Sequence, residues 1–143
     1  MLVGSKKAIE EARIHRKALG GGMRQAGILA AAGLIALHEM PKRLHEDHAN
    51  ARLLADAVAA QPNVAEIDPE TVQTNIVIFR LRGKTEDSGG DAVAFTAALK
   101  EKGVLVSAIG PHQVRFVTHY DVDRAACEKA AVIISEQLRA LTA

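Results

Sequence analysis

Two arginines stand out as residues that could do chemistry. The first lies in Gly20-Gly21-Gly22-Met23-Arg24-Gln25-Ala26-Gly27, which runs straight into an apolar stretch. Successive glycines let a backbone turn sharply and bring its N–H groups against a bulky partner. An arginine on the first turn of the helix that follows adds a fixed positive charge to the helix's positive end. Together these make an anion grip, suited above all to phosphate. The same residues would also serve as a tight helix–helix connection with Arg24 solvated. The second arginine is Arg115, in Gln113-Val114-Arg115-Phe116-Val117-Thr118. Strand alternation puts Val114 and Phe116 on one face and Gln113, Arg115 and Val117 on the other. An arginine in so apolar a strand calls for an anion, and its planar fork suits a carboxylate. Pairing with a nearby acidic side chain is the alternative.

Other candidates are weaker. His119, at the end of that strand, has the chemistry of a base but also suits a structural hydrogen bond at a turn. His45 and His48 enclose Glu46 and Asp47, one residue short of the metalloprotease spacing, and no third ligand is evident. No metal is therefore expected, and a solvated helix face accounts for the pair. Ser5, Ser88, Ser107 and Ser135 lack the nucleophile-elbow context. Asp121 and Asp123 read as turn and cap residues, and Cys127 as a packed helix residue.

The elements that must position these side chains follow from periodicity. Ser5 caps a helix over Lys6–Leu19, which the glycines end. A second helix over Met23–Glu39 is apolar nearly all round, the mark of one buried on most sides. Pro41 suits the first turn of a third helix reaching about Ala60. Beyond Pro62 the pattern changes. Asn75–Leu81 is a β-branched strand, Gly83–Gly90 a polar loop, and Asp91 caps a short helix stopped by Gly103. Val104–Ser107 and Gln113–Thr118 read as strands around Gly110-Pro111. Asp123 starts a last helix with Ala126, Ala130, Ile133, Ile134, Leu138 and Leu141 facing inward. From about Asn63 the order is thus β–β–α–β–β–α, an α+β arrangement with helices on one face of a small sheet.

Composition bounds the partners. The 143 residues carry a formal net charge of +1, with 48% hydrophobic, 24% charged and 3% aromatic residues. This is a globular chain without the basic face or aromatic platforms of a nucleic-acid binder. The longest apolar run, Ala26–Leu37, is too short to span a bilayer. The first residues lack the basic-then-apolar pattern of a secretory signal. A single cysteine fits a reduced, cytoplasmic setting. Leu2-Val3-Gly4 reads as the end of a strand begun upstream.

At Gly20–Gly27, Arg43–Ala51 and Val114–His119 the sequence resembles the L-threonine aldolases. These are pyridoxal-phosphate lyases of the fold that includes the aspartate aminotransferases. The resemblance runs in order over essentially the whole chain. It implies that residues 1–40 are the end of the cofactor-binding large domain and 41–143 the small C-terminal domain, an α/β enzyme whose portion here is α+β with a short, mainly antiparallel sheet. Carried over, Arg115 binds the substrate's α-carboxylate. Arg24, with Gly20, Gly21 and Gly22, reaches the cofactor phosphate, in part across a subunit interface. The implied reaction splits threonine or allo-threonine into glycine and acetaldehyde. The family lysine that forms the Schiff base would lie before Leu2-Val3-Gly4, and neither Lys6 nor Lys7 matches it. The resemblance therefore implies no catalytic residue in this chain, no activity of the chain alone, and as partners a missing N-terminal half or a homo-oligomer. Two other readings stand beside it: a non-catalytic module for a small carboxylate or phosphate, and an oligomerisation domain.

Overall fold

The computed structural model describes residues 2–83 and 89–141. Its contacts divide the chain into two compact units, 1–42 and 43–143.

The first unit is helical. Helix α1 spans Lys6–Ala18 and is capped by Ser5, whose Oγ accepts the Ala8 N–H at 3.3 Å. Basic His15, Arg16 and Lys17 crowd its last turn, where they meet the negative end of the helix dipole. Helix α2 spans Gly27–His38 and contains no buried residue. Its start is later than the sequence pattern suggests. Gln25 takes a left-handed φ of 48°, which a helix cannot continue, so Arg24–Ala26 form a bend and turn ahead of the helix. A short 3-10 turn over Met40–Arg43 follows, in place of the first α-helical turn expected at Pro41.

The second unit holds the core. Helix α3 covers Leu44–Ala59 and strand β1 Ala65–Glu66. Strand β2 runs over Ile76–Leu81, helix α4 over Ala92–Glu101, and strands β3 and β4 over Ser107–Ala108 and Gln113–Val117. Helix α5, Arg124–Ala140, closes the unit. Asp91 and Asp123 cap α4 and α5 by accepting the N–H groups of Ala94 and Ala126, as their spacing predicts. Gly103, at φ +82°, ends α4 in a conformation that favours glycine. The sheet order is β1-β2-β4-β3, and each pairing is antiparallel. The strand expected over Val104–Ser107 is displaced to Ser107–Ala108. Residues 104–106 lie outside any strand.

Alternation along the two long strands makes one dry face. Val77, Phe79 and Leu81 of β2 and Val114 and Phe116 of β4 point at the helices and are buried with Leu54, Val58, Leu99, Ile134 and Leu138. Phe79 meets Phe95 and Phe116 edge-on, with ring centroids 6.2 and 5.1 Å apart. Along α5, Ile134 and Leu138 are buried and Ala130 and Ile133 half-buried. Ala126 and Leu141 are exposed, contrary to the inward stripe expected, because they sit in the end turns beyond the reach of the sheet. Of the loop expected over Gly83–Gly90, residues 84–88, Ser88 among them, lie outside the described residues.

Candidate functional site

Arg115 occupies the middle of β4, directly opposite Ile78 of β2 on one side and Ser107 of β3 on the other. It is exposed, on the face away from the helices, as the alternation predicts. Ile76, Ile78 and Val117 share that face and are 44–46% exposed. Among the described residues Arg115 has no hydrogen-bond or ion-pair partner. No acidic side chain among the described residues pairs with it. The guanidinium is left with its five donors for a ligand.

The end of that strand is held from behind. Thr118 is buried, and its Oγ1 donates to the Asp47 carbonyl at 2.7 Å, while Asn75 Nδ2 donates to the Thr118 carbonyl at 2.7 Å. Asp47 in turn accepts two bonds of 3.2 Å from Arg43, whose guanidinium lies 4.8 Å from the Tyr120 ring centre. Burial of Arg43 pulls its pKa down. The Asp47 hydrogen bond and charge, helped by Glu46, outweigh that and raise it. Asn75, Asp47 and Thr118 thus fix the register of β2 and β4 against α3. This network was missed in the sequence, because its three polar members lie far apart along the chain.

The glycine turn is less of an anion grip than its sequence suggests. Gly20 is at φ +81°, and its N–H is bound to the Lys17 carbonyl; Gly21 N–H is bound to the Arg16 carbonyl at 2.8 Å. These two donors terminate α1 and are not available to a ligand. Gly22 N–H has no backbone partner among the described residues. A Cβ on Gly21 would lie 2.9 Å from Arg16 Cγ, and one on Gly22 only 2.6 Å from Lys17 Cδ. The missing side chains are what let two cations fold over the turn. Arg16, Lys17, Gly21, Gly22, Met23 and Ala26 line a cavity of about 340 Å³ there. Arg24 is exposed, precedes α2 instead of sitting on its first turn, and has no partner among the described residues. No side chain caps α2, so its leading N–H groups are open to an acceptor. Lone cations, a free N–H and an uncapped helix start are a donor set that fits a phosphate group.

Other expectations resolve simply. His119 Nδ1 lies 3.4 Å from Asp121 and accepts the Asp121 N–H at 3.3 Å, a turn contact. Among the described residues no three His, Cys, Asp or Glu side chains gather where a metal ion would fit. None of the described helices is long and apolar enough to cross a membrane. Cys127 is buried, and that burial raises its thiol pKa. It borders a mainly apolar cavity of about 570 Å³ between α5 and residues 102–106, which Arg115 does not line.

The comparisons with known proteins agree with the resemblance read from the sequence. The model of the family described as "Beta-eliminating lyase" matches residues 1–82, more than half of the chain. The chain belongs to the beta-eliminating lyase family. Among its relatives, the "Probable low-specificity L-threonine aldolase 2" of Arabidopsis thaliana is 39% identical over 85% of this chain and 33% of its own length. The "Low specificity L-threonine aldolase" of Escherichia coli (strain K12) is 40% identical over 87% of the chain and 34% of its own. An "Alanine racemase TOXG" from Cochliobolus carbonum is 28% identical over 98% and 35%. This beta-eliminating lyase chain therefore spans about a third of the length of the curated relatives it matches.

Proposed function

We propose that the chain is the C-terminal portion of a pyridoxal-phosphate-dependent threonine aldolase that cleaves L-threonine and L-allo-threonine to glycine and acetaldehyde. The observation that carries this reading is Arg115: a central-strand guanidinium, on an open sheet face, with no anionic partner among the described residues. In this role it binds the α-carboxylate of the amino acid bidentately and so fixes how Cα is presented. Ile78, directly opposite, supplies an apolar flank that keeps water from competing for the pair.

The cofactor, when bound, supplies the electron sink for the charge that develops at Cα. Arg24, Gly22 N–H and the leading N–H groups of α2 would hold its phosphate. Gly20 and Gly21 act indirectly, by shaping the turn, and Arg16 and Lys17 add positive charge beside it. The lysine that carries the cofactor comes from polypeptide outside this sequence, and so does the opposite wall of the site. The working assembly is a complex with that polypeptide, alone or within a larger oligomer, in the cytoplasm.

The test is reconstitution. Coexpression with a segment bearing the family lysine is expected to yield acetaldehyde and glycine from threonine, read by coupled oxidation of NADH. The chain alone, mixed with pyridoxal phosphate and reduced with borohydride, is expected to give no lysine-linked chromophore. Alanine racemisation by the reconstituted enzyme, without aldehyde release, would replace the aldolase reading with a racemase one. One observation favours a different class altogether. The apolar, unburied α2 suits an oligomerisation domain, in which case Arg115→Ala would leave every ligand affinity unchanged.

A further inference from the structure

Arg115 has a second unanswered cation beside it on the open sheet face. Alternation along β2 buries Val77, Phe79 and Leu81 and turns Ile76, Ile78 and Arg80 to the other side, the side of Arg115. The register sets Ile78 opposite Arg115 and Arg80 opposite Gln113. These four residues make a square, with the two arginines at opposite corners. Diagonal neighbours in a sheet lie about 7–8 Å apart, so two side chains as long as arginine can reach one ligand. Arg80 is half-buried and, like Arg115, has no hydrogen-bond or ion-pair partner among the described residues. Glu66 is the one acid in the four strands, and it stands opposite Arg80. Its carboxylate nevertheless pairs with Arg82, at 3.8 Å.

The square therefore carries two surplus positive charges, and neighbouring like charges repel until an anion joins them. Inorganic phosphate would draw both guanidiniums to one point. Two carboxylates held a few bonds apart let each planar fork keep its own bidentate partner. Ile78 suits the carbon chain between them. It is partly exposed, faces Arg115 across the ladder, and lies two residues from Arg80 along β2. Gln113, at the fourth corner, has a carboxamide oxygen able to accept from an ammonium. We infer that the open face binds an acidic α-amino acid, with its α-carboxylate on Arg115 and its side-chain carboxylate on Arg80. The first contact rests on the role already given to Arg115, and the second is the one that Arg80 adds.

Titration of the ¹⁵N-labelled chain with L-aspartate, L-asparagine and glycine tests it, since asparagine keeps the shape of aspartate without the second charge. Saturable shifts of the Ile78, Arg80, Ser107 and Arg115 amides are expected, with aspartate binding at least about tenfold more tightly than the other two. Arg80→Gln should bring aspartate down to the level of asparagine, leave asparagine and glycine as they were, and keep the melting temperature. Asparagine matching aspartate, an aspartate preference that survives Arg80→Gln, or inorganic phosphate binding there as tightly as aspartate would each overturn the inference. So would the absence of saturable shifts on this face. If glycine and asparagine still lose their binding in Arg115→Ala, only the contact with Arg80 falls. If Arg115→Ala weakens none of the three ligands, the carboxylate role of Arg115 falls and takes the inference with it.

Discussion

Arg115 owes its proposed role to what does not surround it. A strand arginine opposite an isoleucine and a serine, with no ion-pair partner among the described residues, is solvated until a ligand arrives. Arg115→Ala should therefore leave the melting temperature almost unchanged, since exposed and unpaired side chains contribute within roughly 0.5 kcal/mol. In the reconstituted enzyme the same change should raise KM for threonine about 10- to 100-fold, the roughly 1.5–3 kcal/mol of a charged hydrogen bond. Gly20 behaves oppositely. Its φ of +81° makes Gly20→Ala destabilising by about 1–2 kcal/mol, measurable by urea unfolding, even though its N–H faces α1 and no ligand. Cys127 gives a pH signature. Burial holds its thiol pKa above that of the unfolded chain, so its share of stability is complete below the unfolded value and is lost as pH rises through the folded one. Stability should decline on the alkaline side, and Cys127→Ser should flatten that limb in melts at stepped pH.

At the scale of elements, the buried polar clamp behind β4 is the most consequential contact. Thr118→Val removes the donor to the Asp47 carbonyl without changing shape, and should cost about 1–3 kcal/mol in chemical denaturation at unchanged m-value. The clamp also shows where sequence reasoning stops. Ser5, Asp91 and Asp123 were legible as caps because capping is local, and β4 was legible because Val114, Arg115 and Phe116 alternate. Asp47, Asn75 and Thr118 meet across 71 and 43 residues of chain, and nothing in local pattern foretells that. The glycine run shows the same limit. Its composition announces close approach, but only the coordinates show that Gly20 and Gly21 approach their own helix. The shift of β3 from Val104–Ser107 to Ser107–Ala108 follows from its position at the sheet edge, where β-branched composition alone does not set pairing.

On the scale of the whole molecule, the two units differ in self-sufficiency. Residues 43–143 carry a core of three phenylalanines and a ring of aliphatics, whereas α2 leaves Ile28 84% exposed and Leu29, Leu34, Ile35 and Leu37 more than half exposed. An apolar patch of that kind marks an interaction surface. Sedimentation at rising concentration is expected to show association, accompanied by binding of a hydrophobic dye. Replacing Leu34 and Leu37 with glutamate should abolish both while leaving the unfolding of the core unit in place. A concentration-independent monomer would instead mean that α2 needs no cover. The family match, over residues 1–82, takes in the first unit and part of the second.

The sheet itself sets a limit on how such association proceeds. Its two outer strands, β1 and β3, are two residues long. A strand that short offers too few unpaired backbone groups to template the addition of another chain. Self-assembly through backbone pairing is thereby closed off, and contact through α2 is the route that stays open. The consequence is one of solution behaviour: concentrated samples should pass reversibly between defined oligomers, and should neither seed fibres nor bind thioflavin.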